Sequence, residues 1–163
     1  DAGTNEPGPA TERYGIEWAL YWNPTDWLRF DSELAVSEAR FRNEPVDRYV
    51  ENAVPVAFSA GVTAGKATGP YGSLRARYFS RRPLTADESV LSRDSLVFNA
   101  RAGYRQEKWD VYVELLNLFD TDANDIEYYY ESRLPGEPVA GIADTHYHPM
   151  EPFTLRTGVA VHW

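Results

Sequence analysis

The stretch FTLRTGVAVHW, Phe153 to Trp163, decides how the chain is read. At a period of two, Phe153, Leu155, Thr157, Val159, Val161 and Trp163 fall on one face, and Thr154, Arg156, Gly158, Ala160 and His162 on the other. This is the pattern of a two-faced β-strand. A strand crossing a bilayer at its usual tilt needs about 9–11 residues, and this run has that length and ends on an aromatic.

Working back from it, the same alternation recurs. Tyr14, Ile16, Trp18, Leu20 and Trp22 form one apolar row, and Leu28, Phe30, Ser32, Leu34 and Val36 the next, in a strand that runs on to about Phe41. Val56 to Ala64, Leu74 to Tyr78, Leu96 to Tyr104 and Trp109 to Leu115 repeat it. Asn23-Pro24-Thr25-Asp26, Thr68 to Gly72 and Gln106-Glu107-Lys108 read as tight turns, since Pro, Gly, Asn and Asp supply turn geometry. The other links are longer: Asn43 to Ala53, Arg81 to Asp94 and Asp120 to Pro152. Residues 1–12, DAGTNEPGPATE, read as a flexible lead-in, and 13–163 as the strands with their turns and loops.

Two regularities constrain the architecture. Connections alternate short and long, so an up-and-down sheet would gather short turns at one end and long loops at the other. The second face carries Glu17, Arg29, Asp31, Glu33, Arg75, Arg77, Arg101, Arg105, Glu114, Arg156 and His162. Buried without partners, ionised groups cost several kcal/mol each, so this face must meet water while the apolar face avoids it. A soluble lipocalin-like barrel would turn the apolar row inward around a hydrophobic ligand; a membrane barrel turns it outward to lipid. Loop asymmetry, Trp163 and the aromatics at strand ends (Tyr14, Trp22, Trp27, Tyr78, Tyr104, Trp109, Phe153) favour lipid outside. The expected fold is all-β, an antiparallel up-and-down transmembrane β-barrel with about seven to eight strands in this chain, part of a larger barrel.

Composition agrees. Aromatic residues make up 14% of the 163, which suits rings placed at membrane interfaces. A net charge of -9 argues against nucleic acid as a partner. Zero cysteines excludes a disulfide scaffold and a thiolate zinc site. No run of about 18 apolar residues offers a membrane-spanning helix, which leaves a strand-built barrel open. The first residues show no basic and apolar leader, so the chain is expected to be a mature form or a piece of something longer.

The segment VELLNLFDTDANDIEYYYESRLPGEP, followed by GIADTHYHPMEPFTLRTGVAVHW, resembles the carboxy-terminal end of TonB-dependent outer-membrane receptors. The matching residues are Asn117, Leu118, Phe119 and Asp120, then a loop with Arg133-Leu134-Pro135-Gly136-Glu137 and His148-Pro149, then Phe153 to Trp163. Trp163 stands where Phe is commoner in the family. The resemblance is specific over residues 109 to 163 and a matter of style over 13 to 108. It implies import of a scarce ligand such as an iron-siderophore, vitamin or saccharide. It also implies an outer-membrane location, with long loops extracellular and the C-terminus periplasmic. A plug domain and TonB would be partners, though neither contact segment is found in these residues, and the family's barrel has about 22 strands. A strand gained from residues 125 to 132 would bring the count to an even number. A small standalone barrel with a structural or adhesive role is the main alternative.

Candidate ligand-binding residues are Arg75, Arg77, Arg101 and Arg156, which could draw an anion into a lumen, and Tyr128, Tyr129 and Tyr130, which could stack on an aromatic ligand. The favoured reading, however, pairs the arginines with Glu17, Asp31, Glu33 and Glu114 across strands and has the tyrosines cover neighbouring loops. His146 and His148, near Asp144 and Glu151, read as an ordinary polar loop rather than metal ligands. Asp120, Asp122 and Asp125 lack the glycine and ligand spacing of a calcium loop. No cofactor is expected, and no catalytic spacing stands out, so the chain does not read as an enzyme.

Overall fold

The computed structural model describes residues 8–163, and residues 1–7 lie outside it. Nine strands follow one another: β1 (Thr11–Thr25), β2 (Leu28–Phe41), β3 (Val56–Gly65), β4 (Gly69–Phe79), β5 (Ser95–Arg105), β6 (Trp109–Leu116), β7 (Asn124–Ser132), β8 (Ile142–Pro149) and β9 (Thr154–Val161). Seven form one sheet in the order β1-β2-β3-β4-β5-β6-β9, and β7 and β8 pair as a separate hairpin. Every pairing is antiparallel. The connections 26–27, 66–68 and 106–108 lie at one end of the sheet, and 42–55, 80–94 and 117–153 at the other.

The register keeps the two faces intact from edge to edge. On one, Trp18 opposes Leu34, Leu34 opposes Phe58, and Phe58 opposes Tyr78. Tyr78 opposes Leu96, while Tyr104 opposes Val111 and Val111 opposes Val159. On the other, Glu33 opposes Ser59, Ser59 opposes Arg77, Arg101 opposes Glu114, and Glu114 opposes Arg156. A slip of one residue in any strand would have mixed the rows, so the alternation in the sequence specifies the pairing.

Among the described residues the apolar face is largely uncovered, with Phe119 packed on it at Phe98. Ile16 is 76% exposed, Val159 71% and Leu155 58%, and Trp18, Leu20, Trp22, Leu74, Leu96 and Val161 are exposed too. Trp18, Phe58, Phe98 and Val159 do not converge in a shared centre, as a soluble barrel with its apolar row inward would require. The buried apolar side chains, Ala39, Leu84, Val97 and Ala123, lie instead at the end with the long connections. At the short-turn end Trp22 stacks on Phe30 with centroids 5.4 Å apart, and Tyr104 on Trp109 at 5.8 Å.

Several boundaries differ from expectation. The turn at Asn23 to Asp26 is in fact a bulge: β1 runs through Pro24 to Thr25, the register shifts between Trp22 and Thr25, and the reversal is at 26–27. A proline cannot donate to the ladder, and a bulge is where a strand tolerates one. Similarly, the turn expected at Thr68 to Gly72 is shorter, because β4 begins at Gly69. Pro70 sits beyond the last β3 pair, Gly65 with Tyr71, where no β3 partner needs its donor. β1 begins at Thr11. The long link after β6 contains β7 and β8, so the strand sought in residues 125–132 exists, but it pairs with β8 and adds nothing to the seven-stranded wall.

Candidate functional site

The charged face is a mesh of ion pairs laid across neighbouring and next-neighbouring strands. Arg75 on β4 reaches over β3 to Asp31 on β2, with Nη2 2.9 Å from Oδ2, and a Cβ on the intervening Gly61 would come within 2.8 Å of both groups. The same device recurs two strands on. Tyr71 on β4 crosses Gly103 on β5 and donates from its hydroxyl to Asp110 on β6 at 2.8 Å, and a Cβ at Gly103 would stand 2.6 Å from the ring. Arg105 completes that cluster, its Nε 3.0 Å from Asp110 Oδ2. Glycine is required at both crossings because the side chain passes where a Cβ would be.

Arg101 pairs with its cross-strand neighbour Glu114 at 3.2 Å and packs on Tyr112, 3.7 Å from the ring centroid. Arg156 pairs with Glu151 at 2.9 Å, and Tyr21 donates to Glu33 at 2.6 Å. Of the four candidate arginines, Arg75 thus finds an acidic partner on the next-nearest strand and Arg101 on the adjacent one, whereas Arg156 is held by a residue just before its own strand. Arg77 differs: it is exposed, opposite Ser59 and Val97, and its guanidinium lies 5.6 Å from the Phe79 ring centroid. Among the described residues it is the candidate arginine without an acidic partner.

Tyr128, Tyr129 and Tyr130 lie on β7, which splits them between the two faces of the hairpin. Tyr128 and Tyr130 are exposed and share a face with His146, His148 and Asp144, and Tyr130 stacks on His146 with centroids 3.9 Å apart. Tyr129 shares the other face with Glu127, which is buried. Glu127 accepts from the backbone N–H of Arg93 at 3.1 Å and from the Asn124 amide at 2.7 Å, tying the hairpin to the β4–β5 connection. That connection is tied in turn to the preceding one: Asn52 N–H donates to Pro83 O at 2.8 Å and Tyr49 N–H to Ala86 O at 3.0 Å. Among the described residues no three His, Cys, Asp or Glu side chains are grouped to hold a metal ion.

Asn117 and Asp120 turn out to be the corner of the site. Asn117, 3% exposed and with φ +47°, donates from Nδ2 to Thr121 O at 3.0 Å and Glu151 O at 3.2 Å, and accepts from Thr121 N–H at 2.9 Å. Asp120 Oδ1 accepts from Phe153 N–H at 2.8 Å, at the start of β9. Phe119 meets Phe98 edge-on with centroids 5.2 Å apart. These bonds bring the end of β6, the root of the hairpin and the start of β9 to one point. As a motif the four residues were legible; their bonding roles, and those of Glu127, Gly61 and Gly103, were not. Glycines inside the strand patterns at 61 and 103 were the available signal for close side-chain passage.

No protein-family model matches the sequence, and no curated protein matches it. Solved structures do match the fold. The closed form of the ferric-catecholate import receptor Fiu from E. coli K12 has a TM-score of 0.75 and 21% identity, covering 100% of this chain and 22% of that one. The ferric yersiniabactin uptake receptor FyuA from Yersinia pestis has a TM-score of 0.67 and 14% identity, covering 91% of this chain and 23% of that one. The fold is that of part of an outer-membrane receptor barrel. The copper transporter OprC agrees, with a TM-score of 0.67 and 16% identity over 94% of this chain and 24% of its own. All three are import or transport proteins rather than enzymes, and this chain spans less than a quarter of the length of each.

Proposed function

We propose that these residues form a section of the barrel wall of a TonB-dependent receptor in the outer membrane, importing a scarce ligand such as an iron-siderophore, vitamin or saccharide. The observation that carries this reading is the division of the sheet: one apolar face running through all seven strands, half-buried at β3 and with exposed side chains on the other six, and one face of largely paired charges. An uncovered apolar surface of this extent is costly in water and favourable against acyl chains. The charged face then borders an aqueous lumen. Short turns lie on the periplasmic side with the C-terminus, and the long connections with the β7–β8 hairpin lie outside the cell. A plug domain and TonB, contributed by other parts of the system, complete the transport cycle. In this arrangement Arg77 attracts an anionic ligand, with Tyr128 and Tyr130 stacking on it from the hairpin, while Arg75, Arg101 and Arg156 are held by carboxylates.

The decisive experiment compares two lysines. Val62→Lys places a charge on the apolar face in the middle of β3 and is expected to cost about 2–4 kcal/mol of folding stability in lipid vesicles. Ser59→Lys, on the opposite face between Glu33 and Arg77, gains one charge partner and one like-charge neighbour and is expected to cost clearly less. If both variants fold equally well, the apolar face does not meet lipid. The ligand is then sought with the complete protein in a receptor-deficient strain, grown in turn on a ferric chelate, a cobalamin or an oligosaccharide as the limiting nutrient. Arg77→Ala should weaken growth on the true ligand.

A further inference from the structure

β9 is an edge of the sheet, yet a side chain on its lumen face is arranged as though another strand followed it. Tyr112 on β6 opposes Gly158 on β9, and its ring lies over that glycine so closely that a Cβ there would be 2.3 Å from Cζ and 2.4 Å from the hydroxyl. Arg101 packs on the ring at 3.7 Å. The arrangement repeats that of Tyr71, which lies over its own cross-strand glycine, Gly103, and hydrogen-bonds a carboxylate on the strand beyond. Arg75 crosses Gly61 to reach a carboxylate in the same manner. In both completed cases the crossing ends on an aspartate. For Tyr112 no strand beyond Gly158 exists among the described residues.

We infer that in the assembled protein Tyr112 is a latch across the closing seam: a further antiparallel strand pairs with β9 and presents an Asp or Glu side chain to the Tyr112 hydroxyl. This rests on the barrel reading above. The strand cannot be β1, because β1 and β9 are the first and seventh strands of an up-and-down sheet and run in the same direction, so their pairing would be parallel. A second copy joined β9 to β9 offers no carboxylate, since the lumen face of β9 carries Arg156, Gly158 and Ala160. The strand therefore comes from a part of the protein outside residues 8–163. The Tyr71 precedent also places the acid. Asp110 lies two residues from Tyr112, the partner of Gly103, and opposes Arg105. The equivalent position on the new strand opposes Ala160, whose methyl group leaves room for a carboxylate.

The test uses the complete protein in outer membranes, with p-benzoyl-phenylalanine in place of Tyr112 so that the reactive carbonyl occupies the hydroxyl position. The expected product is an intramolecular cross-link to a peptide outside residues 8–163, carrying Asp or Glu within two residues of the linked site. Tyr112→Phe, which keeps the ring and removes the hydroxyl, should raise the unfolding equilibrium constant about tenfold or more, as loss of a hydrogen bond to a charged acceptor does. Cross-links confined to β5, β6 and β9 or to lipid, a linked strand without an acidic residue, or an unchanged Tyr112→Phe variant would each overturn the inference. Heat-modifiable migration of the unaltered protein is measured in parallel. Its absence would count against the barrel reading itself, whereas the cross-link reports on the β9 seam alone.

Discussion

Removing the Asn117 side chain should open the corner that joins β6, the hairpin and β9. Asn117→Ala deletes three hydrogen bonds, to Thr121 O, Glu151 O and Thr121 N–H. At about 1 kcal/mol net each, these amount to about 3 kcal/mol. The φ of +47° adds a second cost, because alanine pays about 1 kcal/mol or more in the left-handed region that asparagine tolerates. Together the loss is about 4 kcal/mol, large for a single substitution but in keeping with a buried polar group that serves three partners. Asn117→Gly separates the two terms, since glycine keeps the backbone conformation and loses only the bonds, and it should recover part of the difference. The assay is guanidinium unfolding of the protein in lipid vesicles, read as a midpoint shift at constant slope. If Asn117→Ala shifts stability by less than about 1 kcal/mol, the network is not what holds the corner, and the reasoning fails.

Two further outcomes follow from the geometry. Gly103→Ala forces a Cβ to within 2.6 Å of the Tyr71 ring and 2.7 Å of the Val111 carbonyl oxygen, and should cost about 1–3 kcal/mol in the same unfolding assay. Gly72→Ala, whose nearest contact would be 3.2 Å, should cost clearly less, and equal losses would show that the Tyr71 crossing is not tight. In the β4–β5 connection, hydrogen bonds from Thr85 and then Ser89 hold the Asp87 carboxyl down at about 2, against an ordinary 3.8. A lowered value means that the charged carboxylate stabilises this loop above the ordinary value, and that the contribution is lost as pH falls through the lowered one. Amide protection in the loop, corrected for intrinsic exchange, should therefore fall across that acidic window in the parent chain and not in Asp87→Asn. A carboxyl resonance titrating at the ordinary value would refute it.

Much of this protein was written locally. Side chains in an extended chain point alternately up and down, so the rows Ile16-Trp18-Leu20, Val111-Val113-Leu115 and Leu155-Thr157-Val159 already separated the two faces and fixed the pairing register. The alternation of short and long connections followed from the same rows. The turns were less legible because proline and glycine signal interruption without saying which kind: Pro24 proved to be a bulge and Pro70 the start of a strand. The hairpin from Asn124 to Pro149 was missed as a pair because Tyr129 interrupts the alternation of β7 and β8 carries polar residues on both faces.

Composition and period together determined that the chain is a two-faced antiparallel sheet with water on one side and apolar residues on the other. Only the tertiary structure decided which charges are spent on each other. Asp31 and Arg75 are 44 positions apart, and Tyr71 and Asp110 are 39 apart. They meet because a glycine on the intervening strand lets a side chain pass, a distance relation between next-nearest strands that no local pattern encodes. By the same relation the structure leaves Arg77 without an acidic partner among the described residues and lays Tyr112 over Gly158 on the edge strand, two facts invisible in a list of arginines and tyrosines.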